Sequence, residues 1–145
     1  MFAPVLTRSG YGEHARDLAY AILLSNEYKL QILATAWGNT PWTGLDETSE
    51  RGKAIMKCVK TVPDASMQNP DIFIQLTIPN EFQRLGKYNI GITAGIETDL
   101  CKPEWIEGLN KMDMVIGVSE HTIKVFKDSK YDKHKKGTNE LIGGI

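Results

Sequence analysis

Residues 90–119 read IGITAGIETDLCKPEWIEGLNKMDMVIGVS. An apolar run, Ile90-Gly91-Ile92-Thr93-Ala94, opens the stretch, and a polar turn through Glu97, Thr98 and Asp99 follows it. Pro103 then stands where a helix would take its first residue, a position that suits proline because the first helical N–H has no intrahelical acceptor. Trp105, Ile106, Leu109 and Met112 recur at helical spacing, and residues 114–118 form a second apolar run that closes on Ser119. Strand, helix and strand within about thirty residues make a βαβ unit, which predicts parallel strands joined by a right-handed crossover.

The flanking sequence extends the same pattern. Residues 2–6 are an apolar run, short for a central parallel strand unless residues precede Met1, and a glycine-containing turn leads from it to a helix. Ala15, Leu18, Ala19, Ile22 and Leu23 give that helix its inward stripe, and Ser9 is its N-cap, with a hydroxyl able to accept a free first-turn N–H. Residues 30–37, with Leu30, Ile32, Leu33, Ala34 and Ala36, read as a second strand buried on both faces. A loop from Gly38 to Leu45 follows, and Trp37 before it and Trp42 within it read as packing residues. A helix over 46–60 turns Ile55, Met56 and Val59 inward and Glu47, Glu50, Arg51 and Lys53 outward. After a polar break at 63–70, residues 71–78 form a third strand, and a last helix begins at Glu120 with Ser119 as its cap.

The pattern predicts an α/β fold: an open, mostly parallel, Rossmann-like sheet of order about 3-2-1-4-5 with helices on both faces. Residues 1–128 make up that domain. Residues 129–145 are a Lys-rich loop, with Lys130, Lys133, Lys135 and Lys136, followed by an apolar end at 141–145 that reads as a truncated or continuing segment.

Seventeen basic against eighteen acidic residues, a formal net charge of −1, give no reason to expect a nucleic-acid or anionic-membrane partner. No run approaches the ~20 apolar residues of a membrane span, and the N-terminus lacks a signal-peptide pattern. Cys58 and Cys101 read as reduced thiols in a cytoplasmic protein. Together with His14, His121 and His134 they are too scattered to make a metal site, so no metal is expected.

Chemistry concentrates at the carboxyl ends of the strands, where open α/β sheets bind ligands. Ser9, Gly10, Tyr11, Gly12, His14 and Ala15 carry the spacing G-x-G-x-x-A between a strand and a helix. Two readings stay open: the turn brings backbone N–H groups against a phosphate, or the glycines only permit a tight turn. His14 is either a solvent-facing or capping residue or a titratable group of the site. Asn80 and Glu81 enter the site by topology, at the end of the third strand. Glu97 and Asp99 follow a strand and precede a helix, placed to hold a ligand's donor groups by charge-assisted hydrogen bonds, while Asp99 could equally serve the following helix N-terminus. Ser119 reads as a cap and Glu120 lies beside it. A dinucleotide cofactor would want a carboxylate at the end of the second strand, where the chain reads Ala36-Trp37-Gly38-Asn39, so a cofactor-dependent oxidoreductase is an alternative with a missing part.

The succession Glu97-Thr98-Asp99, Pro103-Glu104-Trp105-Ile106, Asn110 with Met112-Asp113, and Val118-Ser119-Glu120 resembles the acceptor-side domain of group 1 (family 4) retaining glycosyltransferases of the GT-B type. The resemblance runs from Ser9 to about Phe126, with Gly117 where that family commonly has proline. It implies transfer of a sugar from a nucleotide-sugar donor to a glycosyl acceptor. Ser9, Gly10, Tyr11, Gly12 and His14 would then lie near the donor phosphates or the acceptor, with Thr98, Asp99, Ser119 and Glu120 on the same cleft. Glu97 would take a binding or orienting role with no covalent intermediate. The resemblance also implies a second Rossmann-like domain on the C-terminal side carrying the donor site, without which this half has little or no activity. A stand-alone glycan- or protein-binding module is the remaining alternative.

Overall fold

In the computed structural model, which describes residues 1–63, 65–95, 97–134, 137 and 141–144, six parallel strands build one sheet. They are β1 (Phe2–Ala3), β2 (Ile32–Ala34), β3 (Val59–Lys60), β4 (Ile72–Leu76), β5 (Tyr88–Thr93) and β6 (Met114–Gly117), in the order β3-β2-β1-β4-β5-β6. Four helices accompany them: α1 (Gly10–Ser25), α2 (Glu50–Met56), α3 (Pro103–Leu109) and α4 (Glu120–Asp128). The expected Rossmann-like class and sheet order hold, with one strand added. That strand is β3, which takes third place beside β2; the run 71–78, counted as the third strand and expected there, is β4 and lies on the other side of β1.

The strands are shorter than the apolar runs, for local reasons. β1 stops at Ala3 because Pro4 has no N–H for the ladder, and the Val5 N–H turns back to Ala3 O at 2.9 Å. The helix expected over 46–60 begins only at Glu50, with Ser49 as N-cap accepting from Gly52 N at 3.0 Å. Asp46 instead closes an Asx turn on the Thr48 N–H at 2.9 Å, a local bond that competes with helix. At the other end the chain leaves the helix so that Val59 can pair with Ile32, and the Ile32 N–H donates to Cys58 O at 2.9 Å.

Alternation along the strands separates two layers. Ala3, Ala34, Leu76 and Ile92 share one face and pack on Ala15 and Ala19 of α1 and Ile55 of α2. The opposite face carries Phe2 edge-on to Phe73, with ring centroids 5.0 Å apart, and a second cluster in which Phe82, Ile106, Leu109 and Met112 seat α3. α1 and α2 cover only part of their face: Ile72, Tyr88, Met114 and Ile116, which share that face across β4 to β6, stay exposed.

Past residue 128 the expected Lys-rich loop is partly a strand. β7 (Asp132–His134) pairs antiparallel with β8 (Leu141–Gly144), and Lys135 and Lys136 lie outside the described residues. Tyr131 anchors this segment by donating its hydroxyl to Cys101 O, and Lys133 pairs with Glu107 at 3.0 Å. No helix among the described residues is long and apolar enough to cross a membrane.

A buried polar knot fixes the start of β5. Asn89, fully buried, accepts from Leu85 N and Gly86 N at 3.0 and 2.9 Å and donates to Gly86 O and Asp113 Oδ2, both at 2.9 Å. Hydrogen bonds from the Asn89 side chain and then Arg84 hold the Asp113 carboxyl below the usual carboxylate range. Asn89→Ala strips partners from the Leu85 and Gly86 amides, the Gly86 carbonyl and the Asp113 carboxylate, so urea unfolding should show a loss of about 2–4 kcal/mol.

Candidate functional site

The loop from β1 to α1 is held by its own polar groups. Thr7, fully buried, donates its hydroxyl to Pro4 O at 2.9 Å and lies 2.8 Å from Ser9 Oγ, which accepts the Gly12 N–H at 3.0 Å. Ser9 is therefore the cap the sequence predicts. Beneath the loop, the buried Arg16 guanidinium donates from Nη1 to Val5 O and Thr7 O, both at 2.9 Å. Its other nitrogens reach Glu13 Oε2 at 3.2 and 2.7 Å, and Arg51 of α2 meets Glu13 Oε1 at 3.0 Å.

The two glycines divide the readings left open for this turn. A Cβ on Gly12 would come 2.3 Å from Thr7 O and 3.0 Å from Pro4 O, so this glycine serves close packing of helix on loop. Gly10 has nothing within 4 Å of the same position and opens onto free space at the helix start.

Tyr11 ties three strand ends together. Its ring stacks on Trp37 beyond β2 with centroids 3.9 Å apart, which makes Trp37 the packing residue it was read to be. Its hydroxyl lies 3.2 Å from Thr93 Oγ1 at the end of β5 and accepts the Ala94 N–H at 2.9 Å. From the other side the Ala94 carbonyl accepts the Thr122 hydroxyl at 3.1 Å, and Ser119 caps α4 by accepting from Thr122 N at 3.1 Å. The starts of α1 and α4 are thus bound to one residue at the tip of β5.

Glu97, Thr98 and Asp99 leave from that clamp and are all exposed. Thr98 donates to Leu100 O at 3.0 Å. Asp99 does not cap the following helix: α3 has Lys102 as N-cap with no side-chain hydrogen bond. Lys124 of α4 is held above its ordinary value by its hydrogen bond to Asp128 and by that carboxylate's charge, with only a small further contribution from the charge of Asp99. Glu120 is exposed in the first turn of α4, above a shallow groove of about 580 Å³ that runs from Ser119 past Lys124 to Lys127.

The corner after β4 splits. Glu81 is turned back on the sheet, its carboxylate accepting the Thr77 hydroxyl and its carbonyl accepting Gln75 Nε2 at 3.0 Å. Asn80 is exposed and shares a second groove with Ile78, Lys102, Glu104 and Trp105. His14 is exposed on α1.

Arg16 escaped the sequence reading although its signal was there. Gly12, Ala15, Arg16 and Ala19 are the four buried positions of α1 and follow the helical i, i+3, i+4, i+7 spacing, so an arginine stands within the inward stripe. No protein-family model, curated protein or solved structure matches the chain.

Two outcomes follow for stability. Gly12→Ala should lose about 1–3 kcal/mol in urea unfolding through overpacking, while Gly10→Ala should stay within about 0.5 kcal/mol of the parent. The Glu13 carboxyl is held below its ordinary value by its hydrogen bond to Arg16 and then by Arg51. A depressed folded-state value contributes stability above the unfolded-state value and loses it as pH falls through the folded one. From neutral pH down to about pH 3 the urea midpoint of the parent should therefore fall further than that of Glu13→Gln.

Proposed function

We propose that this chain is the acceptor-side half of a cytoplasmic retaining glycosyltransferase, which moves a sugar from a nucleotide-sugar donor once a second, donor-binding α/β domain on its C-terminal side is present. The observation that carries the reading is the Glu97-Thr98-Asp99 loop: exposed, and hung at the carboxyl end of β5 from a backbone clamp that also fixes the starts of α1 and α4. Exposed carboxylates just beyond a tied strand end are available to hydroxyl groups through charge-assisted hydrogen bonds.

In this reading Glu97 accepts a hydroxyl of the acceptor and sets its direction, without forming a covalent intermediate. Asp99 and Glu120 extend the polar rim. A donor phosphate would approach the open space above Gly10, where the amides of Gly10 and Tyr11 stand at the positive end of the sixteen-residue α1; the Gly12 amide is already taken by Ser9. An oxidoreductase is a poorer fit, because the position after β2 that would hold the cofactor's ribose bears Trp37, stacked on Tyr11.

Ligand-observed NMR of the chain with methyl glycosides, nucleotides and nucleotide sugars tests the reading. Glycosides should bind, free nucleotides weakly or not at all, and Glu97→Ala should weaken glycoside binding about tenfold, the worth of one hydrogen bond to a charged group. Tight nucleotide binding untouched by Glu97→Ala would move the site to the Gly10 turn and revive the cofactor reading.

A further inference from the structure

The groove between the end of β4 and α3 has about 380 Å³ of space, within the roughly 300–1,000 Å³ of small-molecule sites. Its walls are Ile78 and Asn80 on one side and Lys102, Glu104 and Trp105 on the other. The walls are pinned to each other. A Cβ on Gly108 would come 1.8 Å from Pro79 O, so α3 closes on the 3₁₀ turn Pro79–Glu81 at a distance only glycine allows. The Trp105 indole is half-buried and braced edge-on by Phe126, with ring centroids 6.4 Å apart, which fixes it as one side of the groove.

The polar complement selects among ligands. Asn80 offers both a donor pair and an acceptor, Lys102 donates and Glu104 accepts, and all three side chains are exposed. Lys102 and Glu104 cancel in charge, so the groove has no net attraction for a phosphate or for a cation. A fixed aromatic side, mixed donors and acceptors, and neutrality suit a ring with an apolar C–H face and several hydroxyls at its edge. The seven-residue α3 contributes these side chains rather than its dipole.

We infer that this groove is a binding site for a neutral pyranose, held against Trp105 and hydrogen-bonded by Asn80, Lys102 and Glu104. The inference rests on the acceptor-side reading for the ring's role as part of the acceptor; the recognition chemistry comes from the groove itself. It sits at the carboxyl end of β4, the same sheet edge that carries Glu97, and accounts for Asn80, which the Tyr11–Ala94 clamp leaves aside.

The test is a ¹⁵N–¹H correlation spectrum of the chain titrated with methyl pyranosides, read at the indole N–H of Trp105 and compared with inorganic phosphate. Pyranoside should shift that signal saturably and phosphate should not. Asn80→Ala and Glu104→Gln, both at exposed positions that leave the fold intact, should each weaken binding about fivefold to tenfold. If Asn80→Ala and Glu104→Gln weaken binding but Glu97→Ala does not, the pyranose site stands and the transferase reading gives way to a stand-alone glycan-binding module. If only Glu97→Ala weakens it, the transferase reading stands and the groove is not the site. A Trp105 signal unmoved by pyranosides, or moved equally by phosphate, overturns the inference.

Discussion

The buried guanidinium of Arg16 is the constraint on which this architecture depends. Two backbone carbonyls, Val5 O and Thr7 O, leave β1 at a place where Pro4 has ended the ladder, and no strand or helix supplies them with donors. A single planar group with a fixed fork of N–H donors meets both and still reaches Glu13. Lysine could not reproduce that geometry from one point charge. Because Glu13 also binds Arg51, the same charge connects the loop to α2, so the first helix pair and the β1 corner are set together. Burying the cation is tolerable only because every face of it finds a partner.

With that corner fixed, the sequence's apolar runs could be read for class but not for extent. Strands of a parallel sheet carry near-continuous hydrophobic stretches, here even where one face of β4 to β6 is left uncovered, so these three strands and the α/β alternation are legible. Strand ends depend on hydrogen bonds that composition does not record. Pro4 truncates β1, and the Asp46 turn delays α2. The missed β3 is two residues long and consists of the tail of what reads as helical spacing; only its pairing with β2 identifies it. Asn89 is another case. The apolar run begins only at Ile90, so Asn89 lies outside the expected strand, whereas its amide replaces a tight turn's missing backbone partners and joins β5 to the start of β6 through Asp113.

The candidate site divides along a similar line. Residues whose role is local were readable: Ser9 and Ser119 cap the helices they precede, and Pro103 opens α3. Roles that depend on distant partners were not. The Tyr11 hydroxyl is occupied by Thr93 and Ala94, more than eighty positions away, so Tyr11 is a structural tie before it is a ligand-binding group. Glu81 is held by Thr77, and the helix that follows Asp99 takes Lys102 as its N-cap instead. The glycine spacing likewise carries two meanings at once, since Gly12 is required by contact with Thr7 and Gly10 is not required by any contact.

Charge along the carboxyl edge argues for how such a site would be shared between two ligands. Around the tips of β5 and β6 stand the exposed carboxylates of Glu97, Asp99 and Glu120, with Lys124 already paired to Asp128. A diphosphate brought to that side would meet like charges, at a penalty that solvent reduces but does not remove. A neutral polyhydroxylated molecule would meet acceptors for its hydroxyls instead. At the start of α1 the balance differs: Glu13 is neutralised by Arg16 and Arg51, Gly10 leaves the approach open, and the helix end is positive. One edge of one sheet therefore offers an acidic side suited to a sugar acceptor and a short positive end suited to a phosphate. In the proposed reading, that division is the one an acceptor-side domain would need if it touched its donor at one point and left the rest of the donor to a partner domain.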